Sequence, residues 1–238
     1  MRAWQLAGRH DRVAVVVARP GDDAFGCGSL IALAARAGAR VTVLCATFGD
    51  DVERRPDPVT DAWPLGLLRE AELCQAAMVL GADEVEFLDH VRLPRSGSAV
   101  LDSRGATPVR ELAGQLAARL ERVDPDVVIT LEPTDGRPDQ RHLRDALDRA
   151  LPQLARPVRL VLSHPGGRVS GDDRHDSGLT VLDTSLVAGI RERAIACYLS
   201  IPSPFEDLPA AVRTHLLSCD VVGEVAVGPS SPAPTPAR

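Results

Sequence analysis

The apolar run VAVVVA at residues 13–18 constrains the fold of this chain more than any other feature. A strand without polar alternation must be covered on both faces, as in the parallel sheets of α/β proteins. Similar apolar runs alternate with segments of helical pattern. We predict strands at residues 13–18, 41–46, 85–88, 126–131, 158–163 and 180–183, and helices at residues 29–37, 63–79, 107–123, 139–151 and 185–199. Helix-length crossovers predict an α/β fold with a Rossmann-like, mostly parallel sheet and helices on both faces.

The length of 238 residues and the hydrophobic content of 45% predict one domain. We expect this domain to cover residues 1–227, and the Pro/Ser-rich segment 228–238 to be disordered because it cannot bury apolar surface. Residues 49–62 and 91–106 are rich in Pro, Asp and Ser and are expected to form loops at the rim of a site. No apolar run reaches about 18 residues, so we expect neither a membrane span nor a signal peptide.

Charge and cysteine content narrow the class of protein. The formal net charge is -6, with acids and arginines interspersed, which argues against a nucleic-acid surface because phosphate binding needs a clustered positive field. The five cysteines lie far apart without a Cys-x-x-Cys pair, which is typical of buried thiols in a reducing cytoplasm. Lys is absent from the chain, so the abundance of Arg reflects GC-rich coding as much as function.

Polar and ionisable residues follow the ends of five successive predicted strands. They are Arg19, Asp22 and Asp23 after the first strand, Asp50 after the second, Asp89 and His90 after the third, Arg137, Asp139 and Gln140 after the fourth, with His142 on the helix that follows, and His164 after the fifth. One acid in such a loop is usually only a helix cap. Because ligands bind at the carboxyl ends of strands in open α/β sheets, so many polar strand ends predict a polar pocket for a small molecule.

Four stretches resemble the LmbE/PIG-L N-deacetylase family in the order in which that family has them. Residues 13–50 contain VAVVVARPGDD, similar to the family's first strand and A-H-P-D-D-E loop, and end in a Thr-x-Gly-acid turn. The stretch REAELCQAAMVLGADEVEFLD resembles the family's Arg-x-x-Glu helix and starts at Arg69. DPDVVITLEPTDGRPDQRH resembles the P-D-V-V strand with G-H-P-D-H, and RERAIACYLS resembles a late helix. The resemblance covers residues 13–201 and implies the family's fold.

The resemblance also shows where this chain departs from the family. Members are zinc-dependent amidases, and the zinc-binding His and general-base Asp of the first motif correspond here to Arg19 and Gly21. Asp22 is kept as the remaining ligand of that motif. The two histidines of the second motif correspond to Arg137 and Gln140. Since a guanidinium cannot be deprotonated to supply a metal ligand, we expect no zinc and no other cofactor.

Candidate roles follow from residue type and position. The predicted acids or bases are Asp22, Asp23 and Asp139. The predicted substrate-binding residues are Arg19, Arg137, Gln140, Asp50, Arg69, Asp89, His90, His142 and His164. An arginine pair suits a carboxylate, phosphate or enolate, and a carboxyl group suits proton transfer.

Three interpretations of function stay open. The one we favour is a small-molecule-binding protein on a deacetylase scaffold, repurposed for a metal-independent reaction, as would fit bacterial specialised metabolism. The second is a catalytically silent relative whose pocket charges pair with one another. The third is an amide hydrolase with a rearranged metal site, for which His90, His142 and His164 are the nearest candidates. Whether the chain forms a homo-oligomer is not decided by the sequence.

Overall fold

A computed structural model describes residues 6–50, 63–94, 105–133, 136–164, 179–203 and 205–228. Most of the two predicted rim loops, at residues 49–62 and 91–106, lies outside the described residues. The same is true of the predicted disordered tail beyond residue 228. The division into one domain and a tail therefore stays a prediction.

The described strands form one seven-stranded sheet in the order β3-β2-β1-β4-β5-β7-β6. The strands are β1 Arg12–Val17, β2 Arg40–Cys45, β3 Glu84–Phe87, β4 Val127–Leu131, β5 Val158–His164, β6 Leu179–Asp183 and β7 Cys219–Val227. Strands β1 to β5 pair in parallel, whereas β7 runs antiparallel to both β5 and β6. The predicted mostly parallel α/β sheet is confirmed.

Helices cover both faces of this sheet. They are α1 Gly28–Arg36, α2 Leu65–Leu80, α3 Val109–Val123, α4 Pro138–Ala150, α5 Ala188–Ile195 and α6 Ala210–Ser218. Helices α1, α2, α5 and α6 pack in one apolar cluster and α3 and α4 in the other. Alternate residues of β1 point into each cluster, which explains why its sequence is apolar throughout. None of the described helices combines the length and the apolar character needed to cross a bilayer.

The carboxyl-terminal part of the fold differs from the prediction. The predicted helix at 185–199 is a 3₁₀ turn, Ser185–Val187, followed by α5, which ends at Ile195. Beyond it the chain turns so that the backbone N–H groups of Leu199 and Ser200 donate to Glu72. Helix α6 and strand β7 were not predicted. The segment CDVVGEVAV mixes apolar and polar residues without a clear period, yet it pairs with strands on both sides.

The sheet order creates a switch point between β1 and β4. The chain moves outward from β1 to β2 and β3, then crosses back to place β4 on the other side of β1. The connections leaving the carboxyl ends of β1 and β4 therefore diverge and leave a crevice between them. The loop after β1 and the amino-terminal end of α4 border this crevice.

A buried arginine holds the loop after β1 in shape. The loop contains one π-helical turn, Asp22–Gly26, which leads into α1. The guanidinium of Arg191, on α5, donates to the carbonyl oxygens of Ala24 (3.3 Å) and Phe25 (2.6 Å). It also forms a buried ion pair with Asp220 at 3.2 Å. One side chain thus ties the turn to α5 and β7.

We predict that Arg191→Met lowers the free energy of unfolding by about 3–5 kcal/mol, because it leaves the carboxylate of Asp220 buried without its counter-ion. Urea unfolding followed by circular dichroism measures the change. Arg193→Met on the exposed side of the same helix is the matched control and should change stability by less than about 0.5 kcal/mol. Equal unfolding midpoints for the two variants would contradict the structural role of Arg191.

Candidate functional site

Four charged side chains and one amide meet at the switch point. Asp22 is the first residue of the π-helical turn after β1, and Arg19 lies three residues before it. Arg137 is the residue before α4, and Asp139 and Gln140 lie in the first turn of α4. The structure thus brings together five of the residues predicted from the sequence.

The guanidinium of Arg137 lies between two carboxylates. Its Nη1 and Nη2 donate to the two oxygens of Asp22, at 2.8 and 3.1 Å. Its Nε and Nη2 donate to the two oxygens of Asp139, at 3.2 and 2.9 Å. Although burial opposes the charged form, these two carboxylates raise the pKa of Arg137 above its ordinary value. The guanidinium of Arg137 is therefore a fixed cation that links the turn after β1 to the first turn of α4.

The carboxylate of Asp22 is surrounded by hydrogen-bond donors. Besides Arg137, the amide Nε2 of Gln140 donates to Oδ2 at 2.8 Å, and the backbone N–H of Arg19 donates to the same oxygen at 3.3 Å. Oδ2 thus accepts three hydrogen bonds and Oδ1 accepts one. These four hydrogen bonds fix the position of the Asp22 side chain between Arg137, Gln140 and the backbone of Arg19.

Asp139 is the second anion of the cluster. Burial alone would raise its pKa, but hydrogen bonds and charge from Arg137, together with the charge of Arg19, lower the pKa below its ordinary value. Its Oδ1 also accepts the backbone N–H of Gln140 at 2.9 Å, at the positive end of the α4 dipole. Nη1 of Arg19 lies 3.3 Å from Oδ2 of Asp139. Two cations and two anions therefore alternate along the cluster.

Asp23 has a different environment from Asp22. Its side chain is fully buried, and Oδ1 accepts the hydroxyl of Tyr198 at 2.5 Å and the backbone N–H of Gly21 at 3.0 Å. Within the part of the chain that the structure describes, no donor reaches Oδ2. Desolvation by burial outweighs both hydrogen bonds and raises the pKa of Asp23 to about 6. Burial and the neighbouring carboxyl of Asp23 also raise the pKa of Tyr198.

The resemblance described above aligns Gly21 with the family's general base. Its φ of 100° and ψ of -37° lie in a region that side chains larger than Gly avoid. A Cβ atom at this position would lie 3.1 Å from Cδ1 of Ile201 and 3.2 Å from the ring of Phe25. Both the backbone conformation and the packing at position 21 therefore disfavour an Asp there.

The structure gives the remaining predicted substrate-binding residues other contacts. Arg69 is buried on α2, where its guanidinium donates to the carbonyl oxygen of Gly49 and to the hydroxyl of Ser200. This position makes Arg69 a support for the loop after β2. The side chain of Asp89 is largely exposed and pairs with Arg119 at 2.6 Å.

The histidines and Asp50 differ in their surroundings. Nε2 of His142 donates to the carbonyl oxygen of Thr107 at 2.7 Å. His90 and Asp50 are exposed, and His164 is buried as the last residue of β5. Among the described residues, no group of three or more His, Cys, Asp or Glu side chains could hold a metal ion. The substrate-binding roles of these residues stay predictions.

Three buried residues next to the site were not identified as candidates from the sequence. Glu72 accepts the hydroxyl of Ser200 at 2.6 Å, Tyr198 contacts Asp23, and Arg191 holds the π-helical turn. Tyr198 is the only tyrosine in the chain. Its rarity is the one feature of the sequence that could have identified it as a candidate. Arg191 has no such signal, because it is one of many arginines.

Comparison with known proteins identifies relatives of this chain. The PIG-L family model, described as GlcNAc-PI de-N-acetylase, matches residues 14–151, which are 138 of the 238 residues. A 1D-myo-inositol 2-acetamido-2-deoxy-alpha-D-glucopyranoside deacetylase of Saccharomonospora viridis is 35% identical over 143 residues, which cover 54% of this chain and 53% of that protein. The chain thus spans about half the length of the curated relatives it matches.

Solved structures share the fold at lower sequence identity. The N,N'-diacetylchitobiose deacetylase of Pyrococcus horikoshii superposes with a TM-score of 0.64 at 16% identity, covering 91% of this chain and 84% of that one. The 4-carboxy-2-hydroxymuconate hydratase of Pseudomonas putida KT2440 also superposes with a TM-score of 0.64, at 20% identity, covering 94% and 99%. Because the PIG-L model matches more than half of the sequence, this chain belongs to the LmbE-like PIG-L family of N-deacetylases.

Proposed function

We propose that this protein binds a small anionic molecule at the switch point of a deacetylase scaffold and does so without the family's zinc ion. The position of Arg137, with one edge of its guanidinium on Asp22 and another on Asp139, carries the proposal. A fixed positive charge there balances the carboxylates that a metal ion would otherwise balance.

The residues at the family's zinc position do not fit the ion. Arg19 offers no lone pair, and Gln140 directs its amide nitrogen toward Asp22. Asp22 is the one ligand kept, and its carboxylate already accepts four hydrogen bonds. A divalent ion would also meet the nearby guanidinium of Arg137. Since a catalytic zinc usually needs three protein ligands and an open position, we derive no hydrolytic step through zinc.

Arg19 is the group best placed to hold an anion. Its side chain is 29% exposed, and its ion pair with Asp139 uses only one guanidinium nitrogen. A carboxylate or phosphate could accept charge-assisted hydrogen bonds from the other nitrogens without displacing Arg137. The amino-terminal end of α4 adds a favourable dipole at the same place.

The relatives support a small polar ligand of this general kind. The Saccharomonospora viridis protein is a deacetylase of an amino-sugar inositol, and the Pseudomonas putida neighbour is a hydratase of a carboxylated substrate. These two activities differ, so proteins of this fold are not restricted to one reaction.

A metal-independent reaction is the second candidate, and the environment of Asp23 favours it. Asp22 and Asp139 are held as counter-ions of Arg137, which suits charge balance better than proton transfer. Asp23 differs because its pKa of about 6 lies near neutral pH and Tyr198 donates to it. A carboxyl group of this kind can give up or accept a proton under ordinary conditions. If Asp23 exchanges no proton with a ligand, the protein is better interpreted as a catalytically silent relative.

We predict that the purified protein takes up no stoichiometric zinc after incubation with the ion and gel filtration, as measured by elemental analysis. Arg19→His, Arg137→His and Gln140→His combined should take up about one zinc per chain, because they restore nitrogen ligands and remove the blocking cation. Gly21 is left unchanged because its backbone conformation disfavours Asp.

The control for metal uptake is the double variant Arg19→His/Gln140→His, in which Arg137 is kept. It should bind zinc at least tenfold more weakly than the triple variant, since the guanidinium still occupies Asp22. About one zinc per wild-type chain would overturn the proposal.

We predict that Arg19→Gln weakens the binding of a carboxylate or phosphate ligand by about 10–100-fold, because it removes charge-assisted hydrogen bonds. Acetate, citrate and inorganic phosphate are the first probes, with affinity measured by calorimetry or by the shift of the melting temperature. Arg141→Gln, on the exposed side of α4, is the matched control and should bind as the wild type does. Equal effects of the two substitutions would indicate non-specific attraction of anions.

We predict that the stability of the wild type falls as pH rises from about 4 to about 6. The pKa of Asp23 is raised from 3.8 to about 6 on folding, so the folded state binds a proton that the unfolded state has already lost in this range. The stabilisation is complete below pH 4 and is lost above pH 6, with a total change of about 3 kcal/mol.

Asp23→Asn should remove this fall, because the amide does not titrate. Asp145→Asn, on the exposed side of α4, should keep it. Chemical unfolding at a series of pH values gives the comparison. The same fall in stability in Asp23→Asn and in the wild type would show that another group causes it.

A further inference from the structure

A cavity lies between α5, α6 and the segment that follows α5. Its walls are mostly apolar and are formed by Ile195, Tyr198, Leu199, Ile201, Phe205 and Leu217. The cavity has a volume of about 290 Å³. Small-molecule sites begin at about 300 Å³, so this space is large enough for a small ligand. We name it the α5/α6 cavity.

The α5/α6 cavity adjoins the loop after β1 and is distinct from the crevice. Cδ1 of Ile201, a wall residue, lies 3.1 Å from the place that a Cβ atom of Gly21 would occupy. Within the described part of the chain, neither Arg19 nor Arg137 lines the cavity. A ligand in the cavity therefore needs no contact with the anion site.

Two walls of the cavity are aromatic rings that are held from behind. The hydroxyl of Tyr198 donates to Asp23 at 2.5 Å, and the guanidinium of Arg191 lies 5.9 Å from the centre of the Phe205 ring. Both rings also contact Phe25 of the π-helical turn, with ring centres 5.7 and 6.4 Å apart. Since fixed rings make their best contacts with another ring, this wall favours an aromatic occupant over a flexible chain.

The mouth of the cavity carries charges of both signs. Nε of Arg213 lies 3.9 Å from Oε1 of Glu192, and Glu206 is exposed at the same opening. A charged ligand would meet a like charge as well as an opposite one, and it would lose hydration on entering the apolar interior. The cavity therefore favours an uncharged ligand.

One hydroxyl group beside the apolar walls can orient such a ligand. Oγ of Ser203, which lines the cavity, accepts the backbone N–H of Phe205 at 3.2 Å. The hydroxyl hydrogen of Ser203 is not used in that bond and can be donated to an acceptor on the ligand. At roughly 30 Å³ for each non-hydrogen atom, the volume of about 290 Å³ holds about ten atoms.

We propose that the α5/α6 cavity is a binding site for an uncharged aromatic molecule of about ten non-hydrogen atoms with one hydrogen-bond acceptor. Such a molecule packs on Tyr198 and Phe205, the two rings that support the π-helical turn through Phe25. Because it has so few atoms, its dissociation constant should be about 0.1–1 mM. The proposal stands whether or not the crevice binds anions.

Fluorine NMR of the protein labelled with fluorotyrosine tests the site directly. Tyr198 is the only tyrosine, so the single resonance reports on one wall of the cavity. Indanone, an uncharged bicyclic ketone, should shift this resonance with saturation. A resonance that stays unchanged up to about 5 mM indanone would overturn the site.

Two further compounds of similar size test the chemical class. Aminoindane carries an ammonium group and should bind at least about tenfold more weakly than indanone, because the ammonium must lose its hydration. Octanol is uncharged but flexible and should also bind more weakly, because it loses more conformational freedom on binding. Equal or tighter binding of aminoindane would refute an uncharged ligand, and equal or tighter binding of octanol would refute an aromatic one.

Substitution of Ala196 locates the bound molecule. Ala196 is exposed and lines the cavity, so Ala196→Trp adds bulk there without disturbing the core and should weaken indanone binding at least about tenfold. Ala211→Trp, at an exposed position of α6 away from the lining residues, is the matched control and should bind as the wild type does. Equal affinities of the two variants would contradict the location.

Ser203→Ala tests the hydrogen bond. It should weaken the binding of indanone by about 2–10-fold and leave the binding of indane, the parent hydrocarbon without the ketone, unchanged. Calorimetry measures both affinities for the wild type and the variant. Equal losses for the two compounds would show that the hydroxyl of Ser203 does not hold an acceptor on the ligand.

Discussion

The buried guanidinium of Arg191 is the interaction on which the site depends. It satisfies carbonyl oxygens of the π-helical turn and is neutralised by Asp220, so the turn, α5 and β7 are fixed together. The π-helical turn then directs Asp22 into the crevice and Asp23 into the core. Two adjacent acids thereby have opposite environments, one bound to cations and one desolvated. Backbone geometry, more than residue type, separates their chemistry.

Arg137 then sets the electrostatics of the crevice. With Arg19 it supplies two positive charges against the carboxylates of Asp22 and Asp139. Removal of a divalent ion from such a pair of acids would leave like charges close together, which costs several kcal/mol. In the proposed function, Arg19 and Arg137 balance the charge of these two carboxylates in place of a divalent ion. The positive φ of Gly21 adds a backbone conformation that an Asp at this position would disfavour.

The sequence predicts β1, β2 and β4 in the parallel part of the sheet well because each of these strands is a short and mostly apolar run. It fails for β7, where Glu224 and Gly223 interrupt the pattern and pairing to β5 decides the conformation. The charged cluster of Arg19, Asp22, Arg137 and Asp139 could be predicted because those residues follow strands that end at one edge. The contacts of Arg191 with Phe25 and of Tyr198 with Asp23 could not, since each pair is separated by more than 160 positions along the chain. Such contacts depend on tertiary packing that local patterns do not encode.

Helix α2 supports the segments that lie beside the turn after β1. Its inner face supports the loop after β2 through Arg69 and fixes the segment at Ser200 through Glu72. That segment continues into Ile201, which packs against the place where Gly21 lacks a side chain. Through these contacts α2 links the loop after β2 and the segment at Ser200 to the turn that carries Asp22. The shape of the loop after β1 therefore depends on α2 as well as on Arg191.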